Sequence, residues 1–107
     1  MDPRRNYDEI CIDLVAQHRE VELAKMMGMP VIKSYGKAIA GFSPRDQAMF
    51  FKLPDEGVQA EALALDGADP FDPNRRGQPM KEWVIVPARH VSQWPRFARE
   101  ALMLRAG

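Results

Sequence analysis

Cysteine is nearly missing from this chain: Cys11 is the only one in 107 residues. No disulfide can form within the chain, which fits a reducing compartment. Long apolar runs are also missing. No stretch approaches the ~20 residues of a membrane span, and the opening MDPRRNYDEI lacks the apolar core of a signal peptide. Together these absences predict a cytoplasmic protein with no membrane association. There is no net charge either, with 15 basic side chains against 15 acidic. Dedicated nucleic-acid domains usually carry a clear positive excess, so specific nucleic-acid binding is not expected. Histidine is scarce as well, with only His18 and His90. One cysteine and two scattered histidines do not supply the ligand set of a zinc site. The Gly-x-Ser-x-Gly, Gly-x-Gly-x-x-Gly and P-loop patterns are absent. The chain is therefore read as non-enzymatic, with no cofactor and no metal.

What is present is the composition of an ordinary globular protein, 46% apolar and 28% charged. A chain of this length makes one domain, spanning 1–107, and buries enough surface for one real core. Its charge is unevenly placed. Residues 1–73 hold 8 basic and 13 acidic side chains, a net of −5, and residues 74–107 hold 7 and 2, a net of +5. Either the two portions pack together and neutralise each other, or the C-terminal third presents a basic surface to an anionic partner. For the second case the candidate anion-binding residues are Arg75, Arg76, Arg89, Arg96 and Arg99, with Lys81 and Arg105 adding charge.

Periodicity gives the elements. Tyr7, Ile10, Cys11, Leu14 and His18 form one stripe, which predicts a helix over 6–18. Cys11 lies in that stripe, so it packs. His18 is seven residues away, about 10 Å along the axis, and cannot activate it. Residues 21–26 fit either a helix or a strand, ended by Gly28 and Pro30. Strands are expected at 31–35, 37–43 and 48–53, joined by a Gly36-Lys37 turn and a Pro44–Gln47 turn, and such short links impose antiparallel pairing. Pro54 is expected to open a helix with Val58, Ala62 and Leu65 inward, stopped at Asp66-Gly67. Phe71 is expected in a short strand within residues 68–78, with a loop after it. A strand over 79–86 ends at Pro87, and a last helix runs from Ser92 or Pro95 to about Arg105, with Trp94 at its cap and Phe97, Ala101 and Leu104 inward. The expected fold class is α+β, an antiparallel sheet of about five strands flanked by helices in the order α-β-β-β-α-β-β-α. Asp66, Asp69, Asp72 and Asn74 superficially suggest calcium, but their spacing is not that of an EF-hand loop and prolines interrupt them, so they read as Asp-Pro turns.

Two strands carry apolar groups on both faces. Lys81, Trp83 and Ile85 share one face of the strand expected over 79–86, and Phe50 and Lys52 share one face of the strand expected over 48–53. Helices on both sides of the sheet would cover them; otherwise a large apolar face needs a dimer partner or a ligand. Phe50, Lys52, Lys81, Trp83 and Ile85 are the candidate interface or ligand face. Trp83 is expected to be largely buried, as an anchor of the core or of a subunit contact. Self-association as a two-fold dimer is the simplest expectation, with Phe50, Trp83 and Ile85 central and the lysines at the rim.

The segments Met26-Met27-Gly28, Tyr35-Gly36-Lys37, Phe51-Lys52-Leu53-Pro54, Phe71-Asp72-Pro73 and Met80-Lys81-Glu82-Trp83-Val84-Ile85-Val86-Pro87 carry a further signal. On them the chain resembles the TfoX/Sxy N-terminal-domain family, especially its small stand-alone bacterial members, over roughly residues 5–105. Met-Met-Gly stands where that family usually has Met-Phe-Gly. The resemblance implies a compact antiparallel sheet flanked by helices in a bacterial cytoplasmic protein. The namesake proteins are competence regulators that act with a transcription factor and carry a second, C-terminal domain. The family supplies no catalytic residues to carry over. Three functions follow in order: a protein-interaction or regulatory-accessory module that self-associates and meets a possible protein partner; a nucleic-acid-binding accessory; and an enzyme or small-ligand binder with a pocket near Lys52, Lys81 and Trp83.

Overall fold

A computed structural model describes residues 2–74 and 76–106, with side chains up to Met103. The fold is α+β: among the described residues there is one antiparallel sheet of six strands with three α-helices. Helix α1 spans Pro3–Gln17, three residues earlier than the stripe predicted. The reason is local. Asp2 is the N-cap, its carboxylate accepting from the Arg4 amide at 3.1 Å, and Pro3 fits the first turn, where its missing N–H is no loss.

Residues 21–26 are strand β1 (Val21–Met26), not helix, which makes six strands instead of about five. β1 pairs with β2 (Met29–Ser34) across the turn Met27-Gly28. Both turn residues have positive φ, 53° and 77°, the geometry whose twist matches a two-residue hairpin. The next hairpin repeats the device. β2 meets β3 (Lys37–Ser43) across Tyr35-Gly36, with φ of 51° and 79°. The turn therefore sits one residue before the expected Gly36-Lys37. A bulge follows, since Ile32 pairs with Ala40 while Lys33 pairs with Ala38. Ile39 is the extra residue, and it is fully buried in the main core instead of alternating outward.

β4 (Ala48–Lys52) pairs with β3 on one side and with β6 (Trp83–Pro87) on the other. Helix α2 (Glu56–Leu63) starts two residues after Pro54, because Asp55 is the N-cap and accepts from the Val58 amide at 2.9 Å. The two-residue β5 (Asp69–Pro70) closes the far edge of the sheet, giving the order β1-β2-β3-β4-β6-β5. The strand expected over 79–86 is shorter and later. Residues 79–82 belong to the connecting segment, and Glu82 sits at φ 71° with its carbonyl accepting from the Leu53 amide at 2.8 Å. A 3-10 segment, Ala88–Gln93, leads into α3 (Trp94–Ala106).

All three helices pack on one face of the sheet. Tyr7, Ile10, Cys11 and Leu14 from α1, Ala62 from α2, and Trp94, Phe97, Ala98, Ala101 and Leu102 from α3 cover Ile32, Phe42, Met49, Phe51, Val84 and Val86. Trp94 stands at the start of α3, within one residue of the expected cap. It is fully buried and its indole N–H donates to the Val86 carbonyl at 3.2 Å. The inward side chain expected at Leu104 lies outside the described side chains.

Candidate functional site

The face without helices is where the sequence reading placed its interface. Phe50 and Phe71 stack there with ring centroids 4.2 Å apart and an interplanar angle of 13°. Phe71 arrives on the segment between β5 and β6, held by three backbone bonds: its amide to the Trp83 carbonyl at 2.9 Å, the Met80 amide to its own carbonyl at 2.8 Å, and the Trp83 amide to the Met80 carbonyl at 3.2 Å. Val31, Phe50 and Phe71 are buried, with Trp83, Ile85, Met29 and Ala24 half-buried around them. Gly41 makes the arrangement possible. A Cβ there would lie 2.4 Å from Phe50 Cζ and 2.8 Å from the Pro30 carbonyl oxygen, so only glycine lets the Phe50 ring lie across β3.

The five candidate residues therefore part company. Phe50 is 3% exposed and packed inside its own chain, so it has almost no surface to offer a partner. Trp83 and Ile85 share its face as expected and are half-buried, with Trp83 packed against Phe50 at a ring-centroid distance of 5.7 Å. Lys52 ends β4 opposite Trp83. Lys81 is exposed and lies before β6, so it has no place in the strand's alternation.

What stays open on this face is a shallow concavity of about 20 Å³ at the β1–β2 end. Met26, Met27, Met29 and Met80 ring it, with Val31, Ala38, Phe50, Phe71 and Trp83 beneath. Met27 is 59% exposed. Neither Lys52 nor Lys81 lines it. A larger open cleft, about 330 Å³, lies on the other side of Phe71, between Arg45, Asp46, Asp69, Asp72 and Ile85.

The arginines do not converge. Arg89 pairs with Asp66 at 2.6 Å and Arg96 with Glu61 at 2.5 Å, so both tie the C-terminal region to the acidic stretch before it. Arg99 lies elsewhere, in the groove between α1 and α3 with Asp13, Gln17 and His18. Arg76 is exposed, its amide donating to Asp72 at 3.3 Å. Arg75 lies outside the described residues. The charge asymmetry of the sequence is thus met, at Arg89 and Arg96, by pairing within the chain.

Cys11 is 3% exposed. Burial pushes its thiol up from the usual range, offset in part by a hydrogen bond with Tyr7. Burial likewise pushes the Tyr7 hydroxyl up. A thiol held protonated in the core is a packing group. Among the described residues no group of three or more His, Cys, Asp or Glu is placed to hold a metal ion, and no helix is long and apolar enough to cross a membrane.

Sequence reasoning missed the open side of the molecule. Ile12 and Val15 on α1, Leu23 and Met26 on β1, and Met27 and Tyr35 in the two turns are all exposed. The Met27-Gly28 and Tyr35-Gly36 pairs were the available signal, since a two-residue turn before β2 requires a strand at 21–26 and hence a sheet edge there. No family model, no curated protein and no solved structure matches this chain.

Proposed function

We propose that the chain is a non-enzymatic interaction module, a regulatory accessory of the kind its TfoX-like segments suggest, and that it works through the side of the sheet bearing β1 and β2. The observation that carries this is the distribution of exposed apolar groups. Of eight large hydrophobic side chains exposed among the described residues, six fall between Ile12 and Tyr35, and Met80 adjoins them at the methionine concavity. Scattered singly, such groups mean nothing; gathered on one side, they mark a contact surface. Methionine suits that role because its unbranched, polarizable side chain adapts to differing partners.

A photo-crosslinking amino acid placed at Met27 of the full chain in living cells tests this. Adducts with a protein chain, a second copy included, are expected there and at Met80, with none from the same label at exposed Glu56 on α2. Equal labelling at all three positions, or none at Met27 and Met80, overturns the reading. No observation favours nucleic acid, since Arg89 and Arg96 are already paired and Arg99 stands apart from them.

A further inference from the structure

We infer that β1 is a docking edge for a second copy of this chain, the two β1 strands pairing antiparallel about a two-fold axis at Leu23 to make one continuous twelve-stranded sheet. This rests on the reading of the chain as an interaction module and names the partner and the contact.

The backbone shows which groups are open. In a two-residue hairpin the residues flanking the turn form a hydrogen-bonded pair, and bonded and non-bonded pairs then alternate. Met26 and Met29 flank the turn, so Met26, Ala24 and Glu22 bond to β2. The next pair in that series, Glu20 with Tyr35, is bonded, the Tyr35 amide reaching the Glu20 carbonyl at 3.2 Å. Pro30, which has no N–H, stands opposite Lys25 in a non-bonded pair, as the alternation requires. Val21, Leu23 and Lys25 therefore turn their backbone groups away from the sheet. The Val21 amide is already taken by the His18 carbonyl at 3.2 Å. The open row is the carbonyls of Val21, Leu23 and Lys25 and the amides of Leu23 and Lys25.

A second β1 fits that row. With Leu23 opposite Leu23 of the other copy, each Leu23 amide meets the other Leu23 carbonyl, and each Lys25 amide meets the other Val21 carbonyl. Both open amides of each copy are satisfied, and the one group left without a partner in this register is the Lys25 carbonyl, because the Val21 amide that faces it from the other copy is held by His18. Leu23, 54% exposed in the single chain, then packs on its symmetry mate. Centring the axis on Glu22 instead would oppose two carboxylates.

Helix α1 supports the same partner. It packs on β1 and β3, while α3 packs on β2, β3 and β4, so α1 lies on the β1 side of the helical layer. One flank of α1, Ile10, Asp13, Leu14 and Gln17, lines the groove toward α3. At 3.6 residues per turn, Ile12 and Val15 fall on the other flank, toward the open edge, and they are 67% and 45% exposed. Leu23 pairs with core residue Ile32 and so stands on that same helical side of the sheet. Open backbone groups and an apolar strip thus run together. The opposite edge is defended: β5 has two residues and one is Pro70. β1 has six residues, an unbroken register with β2 and no proline.

Sedimentation of the full chain at micromolar concentrations tests the proposal. The expected mass is twice 12.2 kDa. Leu23→Glu opposes two carboxylates at the axis, and Leu23→Lys opposes two ammonium groups; each alone should weaken the dimer by about tenfold or more, and mixing the two variants should restore it. Lys25→Pro removes an amide that the chain itself does not use, so it should also give folded monomer. Circular dichroism confirms that each variant stays folded. A monomeric wild type overturns the proposal, as does a dimer unmoved by all three variants. A monomer that still crosslinks from Met27 to another protein would overturn the dimer alone and leave the module reading standing; a dimer with no such adducts would do the reverse.

Discussion

The two faces of the sheet are closed in different ways. The helical face carries regular elements whose buried residues interlock: Trp94, Phe97 and Ala101 from α3 and Tyr7 and Leu14 from α1 meet the strands in one continuous core. The other face is closed by a single connecting segment that contributes one buried aromatic, Phe71, over Phe50 and Val31. The first cover consists of helices that bury many side chains at once. The second depends on one ring, three backbone bonds and a glycine beneath. The difference teaches that apolar residues on both faces of a strand do not by themselves call for a partner, because a loop can satisfy one side.

This contrast can be broken by truncation. Trp94→Ala should have the largest effect, about 3–5 kcal/mol, as for other fully buried aromatics, read as a lower urea midpoint at unchanged slope and fixed protein concentration. Phe71→Ala should cost about 3 kcal/mol, at the low end of the same range because the cavity it leaves borders solvent. If Phe71→Ala matched the full loss at Trp94, the two faces would weigh equally and the contrast would fail. Gly41→Ala should cost about 2–3 kcal/mol by overpacking, since the new methyl meets the Phe50 ring and a backbone carbonyl. Phe50→Leu in the same chain should recover part of that loss, and no recovery would mean that the Pro30 carbonyl is the real obstacle. Trp83→Ala should be mildest, about 1–2 kcal/mol, because Trp83 is only half-buried. A loss as large as that at Trp94 would show that the second face is far better packed than its exposure indicates.

Much of the helical face was legible beforehand. The stripes of α1 and α3 name Tyr7, Ile10, Leu14, Phe97 and Ala101, and these are core residues. Val84 and Val86 alternate inward as a strand should. The second face was legible in part. Phe50, Trp83 and Ile85 do share it, but their cover comes from Phe71, in a stretch of prolines and polar residues with no period to read. The bulge at Ile39 was equally invisible, because one extra residue reverses the alternation without altering composition. Lys81 was assigned to a strand that begins two residues later, after the positive φ of Glu82.

The sequence by itself determined the α+β class, the three helices and the antiparallel order, because hydrophobic period, short turns and caps are local and act over a few residues. Only the tertiary structure decided which residues were left uncovered. Whether Phe50 lies under Phe71, whether Arg96 finds Glu61, and whether β1 ends the sheet with its amides open all depend on contacts between distant segments. No local pattern encodes these, since the same side chains and backbone groups would read alike whether paired, buried or free.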